Sequence, residues 1–285
     1  MRPIQIKRIC TMEELKIIKT VLDIGLGHEL KFLHITDVHI AFDDEGDERG
    51  RFQYFENSPE YFEQVTAYAK QNNLVMLNTG DFLDFLSVRN FEHADKHLLS
   101  TDTIYAAGNH DFCHWVGKAT EDYAYKWENI SHSAPHLPNN LYFYSRLIDG
   151  VNFVTLDDSY YLITDGQVEL LRAEAARGYP IVLGIHVPLF TRAQADKILS
   201  GGSKTTYLVG APKEYTDKYP NDRSLLQLPD EATLMAIEYI QSEPMIKAII
   251  SGHTHINFED TLKGGTPQIT TSGLYKGYAR EITLI

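Results

Sequence analysis

The chain has 285 residues, 43% hydrophobic and 23% charged, which is ordinary globular usage and supports a sizeable core in one large α/β domain or two small ones. Its net charge of −13, from 26 basic against 39 acidic side chains, argues against a nucleic-acid surface, but not against a small anionic substrate in a pocket that holds divalent cations. Cys10 and Cys113 are too few for a disulfide framework, the start "MRPIQIKRIC" has no apolar signal core, and no run reaches the ~18 apolar residues of a membrane span, so a cytoplasmic protein without a membrane partner is expected.

Residues 1–28 read as an N-terminal helical appendage around "MEELKIIKTVLD", ended by the glycines of "GLG", with the main domain over 29–285. From there short apolar runs alternate with helical patterns, the order of a parallel-sheet α/β protein. The runs are "FLHIT" (32–36), "LVMLNT" (74–79), "TIYAA" (103–107), "VNFVTL" (151–156), "IVLGI" (181–185) and "IKAII" (246–250), each of a length that suits a buried strand. One helix is expected from Ser58 as cap and Pro59 at its first position, with Tyr61, Phe62, Val65 and Tyr68 on one face. A second is expected over Gln167–Arg177, stopping at Gly178, and a third from Asp230 to Pro244. The acidic run "DDEGDERGR" (43–51) reads as a solvated loop, though it leaves a strand end at which Arg49 or Arg51 could touch substrate. His93 and His97, four apart, read as a solvated helix face, and "GGSKTT" (201–206) lacks the spacing of a phosphate loop. Beyond residue 257, "PQITTSG" and "AREITLI" look like antiparallel strands and turns.

The polar residues just past each run carry the chemistry. Asp37 and His39 come after the first, Asp81 and Asp84 after the second, Asn109 and His110 after the third, His186 after the run at 181–185, and His253 and His255 after the run at 246–250. One such residue is commonly a turn former. Five strands that each deliver Asp, Asn or His at the carboxyl end, where open α/β sheets gather ligands, point to one site. Carboxylates, imidazoles and an amide, without a thiolate, suit Mn, Fe or Zn. Asp37, His39, Asp81, Asn109, His186, His253 and His255 are too many for one ion, and a carboxylate can bridge, so two ions ~3.5–4 Å apart are expected.

As a set, D-x-H, G-D-x-x-D, G-N-H-[DE], a lone His after a strand, and G-H-x-H resemble the calcineurin-like metallophosphoesterases over about residues 31–257. The resemblance implies two packed β-sheets flanked by helices, a four-layer α/β/β/α sandwich, with two divalent or trivalent ions at the strand ends. By that likeness Asp37, His39 and His255 hold the first ion and Asn109, His186 and His253 the second, with Asp81 bridging. His110 sits over the substrate phosphate as general acid or charge stabiliser, and Asp84 orients its ring. The implied activity is hydrolysis of a phosphomonoester or phosphodiester, in a small phosphorylated or nucleotide-like substrate, by in-line attack of a metal-bridging hydroxide. "GDFLDFLS" and "GNHD" depart from the protein Ser/Thr phosphatase branch.

The alternatives are a catalytically silent metal-binding scaffold of the same fold and a nuclease. Residues 191–229 exceed what one connection needs and read as an insertion, either a surface excursion or oligomer contact or a lid over the site with Arg192, Lys204, Lys213 and Arg223 for charge, Tyr207, Tyr215 and Tyr219 for stacking, and a Gly201–Gly202 hinge.

Overall fold

In the computed structural model, which describes residues 14–42, 50–112, 114–116, 123–216 and 227–285, all six apolar runs are strands. Cys10, Arg49, Cys113, Tyr219 and Arg223 lie outside the described residues, as do residues 1–13 of the expected appendage. The described strands are β1 (Lys16–Leu22), β2 (Leu30–Ile35), β3 (Val75–Asn78), β4 (Thr103–Tyr105), β5 (Phe143–Ile148) and β6 (Val151–Leu156) in the first half. β7 (Ile181–Gly184), β8 (Ile246–Ser251), β9 (Phe258–Thr261), β10 (Pro267–Thr270) and β11 (Tyr278–Leu284) follow. They form a five-stranded sheet in the order β1-β11-β2-β3-β4 and a six-stranded sheet in the order β5-β6-β7-β8-β10-β9.

Alternation along the strands makes the layers. Phe32, Leu77 and Ile104 of one sheet meet Val151, Phe153, Val182 and Ile250 of the other in a dry interface. Their neighbours face outward. Leu33, Ile35 and Met76 pack on Tyr61, Phe62 and Val65 of the helix Ser58–Gln71. Val154, Leu183 and Ile249 pack on Val168 and Leu171 of the helix Asp165–Ala175 and on Ala236 and Ile240 of the helix Glu231–Ser242. The result is the four-layer α/β/β/α sandwich. β2, β3 and β4 run parallel, as do β6, β7 and β8, so each sheet sends the carboxyl ends that carry the candidate ligands to one rim.

The N-terminal expectation needs correction. Residues 16–22 are not a helix but an edge strand, β1, paired in parallel with β11 from Lys16↔Tyr278 to Leu22↔Leu284. Ile17, Ile18, Thr20 and Val21 are β-branched and fit a pleated edge, and Leu22, Ile24 and Leu26 run on into the inter-sheet core. β5 is a second departure, a strand with no counterpart among the apolar runs. It joins β6 through Asp149-Gly150, both at positive φ (45° and 81°), the two-residue turn that an Asp-Gly pair favours.

Helix ends differ in detail. Asn57 takes the cap position before Ser58 without a side-chain bond, whereas Thr164 and Gln167 close a full capping box at the start of the helix Asp165–Ala175. Asp230 caps the helix Glu231–Ser242 through Thr233 N, as expected.

The described part of the 191–229 insertion is a packed excursion. Its helix Arg192–Ser200 and residues 203–216 share a small core of Ala195, Ile198, Leu208 and Tyr215, and Phe190 N and Val209 N bond back across the Leu189–Val209 bridge. Gly201 ends that helix and Gly202 has φ 93°, so the glycine pair is used as a helix stop.

Phe153 meets Phe32 edge-on at 5.1 Å across the sheet interface, and both are fully buried. Phe153→Ala is expected to lower unfolding free energy by about 3–5 kcal/mol in denaturant titration. A loss below ~1 kcal/mol would show that the two sheets are not held by this contact.

Candidate functional site

The candidate ligand loops take conformations that residues other than glycine rarely adopt. Asp37, His39, Asp81, His253 and His255 have φ between 49° and 64°. Such strain costs on the order of 1–3 kcal/mol per residue and persists where surrounding bonds over-determine it. Here the bonds are visible. Asp37 N, His39 N and Ile40 N donate to the carbonyls of Gly80, Asp81 and Phe82, which lays the D-x-H loop along the G-D loop. Asp111, the last letter of G-N-H-D, is a buried staple whose carboxylate accepts from the amides of Asp81, Leu83 and Gly108 and from Tyr105 Oη. Glycine is required where the loops touch. A Cβ on Gly252 would lie 1.8 Å from Thr36 Oγ1, and one on Gly108 would lie 2.1 Å from Asp81 Oδ1.

The two central carboxylates are buried and pinned. Asp37 Oδ2 accepts from His253 N at 2.9 Å and Thr36 Oγ1 at 2.8 Å, and Asp81 Oδ1 accepts from His110 N at 2.8 Å. Four imidazoles surround them, each with one nitrogen committed outward. His39 Nδ1 meets Asp84 Oδ1 at 2.9 Å, His186 Nδ1 donates to Thr79 O at 2.6 Å, His253 Nε2 meets Tyr161 Oη at 2.9 Å, and His255 Nδ1 meets Tyr275 Oη at 3.0 Å. Such outer partners fix ring orientation and tautomer in metal-ligating histidines.

The inner nitrogens converge. His255 Nε2 lies 3.0 Å from Asp37 Oδ1 and 3.3 Å from His39 Nε2, which is itself 3.8 Å from Asp37 Oδ1 and from Asp81 Oδ2. His186 Nε2 lies 3.2 Å from Asp81 Oδ2, 3.1 Å from Asn109 Oδ1 and 3.0 Å from His253 Nδ1. Lone pairs brought together at these distances need a proton or a cation between them. Three groups result, Asp37/His39/His255, His39/Asp81/His110 and Asp81/His186/His253, whereas the resemblance implies Asn109 rather than Asp81 in the half with His186 and His253.

Other candidates fall differently. His110 lines the cavity with its Nδ1 2.8 Å from the Asp84 carbonyl oxygen, and the Asp84 carboxylate is 3.4 Å away. That carboxylate bonds instead to His39 and, through both oxygens, to Arg51. Asp84 thus holds His110 mainly through its main chain, and its side chain serves the first histidine of the D-x-H pair. Arg51 and Tyr207 line the cavity, but Tyr215 is buried in the insertion core and Arg192 pairs with Glu214. Of Arg192, Lys204, Tyr207, Lys213 and Tyr215, Tyr207 alone lines it. The cavity is about 470 Å³, and Tyr54, Phe55 and Tyr275 complete an aromatic rim that the sequence did not reveal. His93 and His97 stack on each other at 4.3 Å, away from the site, with His93 buried rather than solvated.

A family profile described as calcineurin-like phosphoesterase matches residues 30–257. The chain belongs to that family. Among solved structures it resembles a dimetal phosphatase from Danio rerio, 15% identical over 86% of this chain and 88% of that one, with a TM-score of 0.54. It also resembles a candidate 5′-nucleotidase from Staphylococcus aureus, 15% identical over 87% of this chain and 49% of that one, TM-score 0.49. A third is a phosphopantetheinyl hydrolase from Mycobacterium tuberculosis, 11% identical over 90% and 91%, TM-score 0.45. No curated protein matches the sequence. No helix among the described residues is long and apolar enough to cross a membrane.

The field in this phosphoesterase's site is that of a cation trap. Burial opposes a charge on His186, yet Asp81 and then Asp37 outweigh it and lift the ring to about 10. Burial, with His186 next to it, pushes His253 down to about 3, so the second group combines one proton-holding ring with a neutral one. A metal ligand must be deprotonated, so an ion held by His186 would have to displace that ring's proton at any pH below about 10. Metal affinity is therefore expected to rise with pH toward about 10. Calorimetric titration of metal-free protein with Zn(II), in buffers of different ionisation enthalpy near neutral pH, should show at least about one proton released. No release would contradict this electrostatic picture.

Proposed function

We propose that the protein hydrolyses a small phosphoester, with Asp37, His39 and His255 holding one divalent ion, Asn109, His186 and His253 a second, and Asp81 shared between them. The observation that carries this reading is the convergence of four imidazoles whose outer nitrogens all have fixed partners. Two such ions, when bound, supply a water nucleophile at neutral pH and neutralise charge on the phosphoryl oxygens. Mn, Fe and Zn all suit the donor set.

The protein's own groups do the rest. His110 stands at the cavity wall with Nδ1 tied to the Asp84 carbonyl, which directs the ring's other edge away from the backbone. In its proton-carrying form it has the Asp84 carboxylate as a charge partner at 3.4 Å and can give a proton to the leaving oxygen. Asp84 and Arg51 keep His39 in its ligand tautomer, so the acid and the first ligand histidine share one support. Burial raises the cost of every charge here, yet His39 and Arg51 hold the Asp84 carboxyl below its ordinary range, so it stays ionised.

Arg51 is the single Lys or Arg among the described lining residues, which favours one phosphoryl group over a polyphosphate chain. Tyr54, Phe55, Tyr207 and Tyr275 favour a flat leaving group. Tyr207 is presented from a left-handed turn (φ 53°), and its amide donates to the buried Gln227 side chain at 2.9 Å. The insertion on this reading selects substrate with a fixed aromatic wall rather than a swinging lid.

A panel of aryl and alkyl mono- and diesters, run on wild type and His110→Ala, tests the assignment. The variant is expected to lose about 10²–10⁴-fold in kcat on alkyl esters and much less on activated aryl esters, whose leaving groups need no proton. Equal losses on both classes would remove His110 as general acid, and no turnover of any ester by metal-loaded wild type would sink the phosphoesterase reading.

A further inference from the structure

Below the site, between the two sheets, runs a line of buried polar groups that the proposed chemistry does not use. His34 on β2 is fully buried, with Nδ1 2.8 Å from Thr271 Oγ1 and Nε2 2.9 Å from Thr79 Oγ1. Arg280 on β11 pairs with His34 in register and is 1% exposed. Its Nε donates to Thr271 Oγ1 at 3.1 Å, and its Nη1 holds Glu259 on β9 and Thr20 on β1.

The two threonines stand at strand ends of different sheets, Thr79 in the loop of Asp81 and Thr271 beside the loop of His253. Thr79 follows β3 and leads into Gly80 and Asp81, and its carbonyl is the oxygen that takes the Nδ1–H of His186. Thr271 follows β10, and its amide donates at 3.0 Å to the carbonyl of Ser251, which leads into Gly252 and His253. His34 is thus the crossbar between the loop that delivers Asp81 and the loop beside His253.

Donor arithmetic gives the crossbar a direction. A guanidinium only donates, so Thr271 Oγ1 accepts from Arg280 and has its own hydrogen to give. Thr271 Oγ1 keeps a second lone pair, but His34 Nδ1 is the acceptor its own hydrogen meets, which favours a ring proton on Nε2 that donates to Thr79 Oγ1. A second proton on Nδ1 would face Thr271 with the Arg280 charge behind it. Burial and then Arg280 accordingly hold the ring down to about 3, so it stays neutral at working pH.

We infer that His34 is a positioning residue, a neutral Nε2–H imidazole that ties the ligand loops of the two sheets together and so sets how the two halves of the metal centre face each other. The inference rests on the metal-centre reading above. Outer partners of this kind typically hold 10- to 100-fold of metal affinity, and His34 lies one bond further out, so the lower end applies.

Thr79→Val removes the hydroxyl that receives His34 but leaves the carbonyl that holds His186; Thr79→Ser keeps both. By chelator competition, Mn(II) affinity should fall about tenfold in Thr79→Val and His34→Phe and stay within about twofold in Thr79→Ser. A Thr79→Val protein with a lowered unfolding midpoint and unchanged Mn(II) affinity would make the network a fold element alone and overturn the inference. In metal-free wild type, side-chain nitrogen shifts should report His34 as the Nε2–H tautomer, without titration, over about pH 5–8. An Nδ1–H ring, or one that titrates in that window, overturns it whether or not the variants fold. Failure of wild type to take up Mn(II) would instead reject the metal-centre reading itself, which the tautomer measurement does not depend on.

Discussion

Two carboxylates, Asp37 and Asp81, are buried side by side at the meeting point of the sheets, and the rest of the site answers that fact. An ionised carboxylate taken out of water costs several kcal/mol unless charge or hydrogen bonds compensate. Main-chain amides of His253 and His110 supply part of the compensation. The imidazoles supply the remainder by holding protons, as His186 does, or by completing a shell for a cation. Burial drives Asp81 toward the neutral form, yet the surrounding imidazoles, His186 first, bring it down to about 2. A site that keeps buried carboxylates ionised and surrounds them with lone pairs is built for positive charge.

The fold supplies the rigidity this needs. The candidate ligands come from both sheets, with the inter-sheet layer of Phe32, Phe153 and Ile250 and the polar line through His34 and Arg280 beneath them. Five left-handed candidate-ligand residues hold strained backbone against a packed floor. Stability in the layers offsets strain in the loops, and the arrangement of donors follows from both.

Much of the candidate site is legible in the sequence because its residues are short polar motifs at the ends of apolar runs. Asp37-x-His39 and His253-x-His255 stand out by residue type and position alone. Their supports do not. Thr79 holds His186 through a carbonyl, which carries no residue signature, and Tyr275 reaches His255 from beyond the last motif. The family resemblance makes Asp84 the partner of His110, but its carboxylate is committed to His39 and Arg51, a choice set by loop geometry. β1 escapes a sequence reading because its partner, β11, lies at the other end of the chain and its pairing overrides the helix pattern read over "KIIKTVL". β5 leaves a usable signal in Asp149-Gly150. The 191–229 insertion suggests a lid by length, whereas its described part is anchored by Tyr215, Leu208 and Ile198.

The central claim is that the two ligand groups around Asp81 act as one binuclear centre. Elemental analysis of protein reconstituted with Mn or Zn and freed of loosely bound ions measures this most directly. The account predicts close to two ions per chain in the active protein. A firm stoichiometry of one, with full phosphoester hydrolysis, would contradict it.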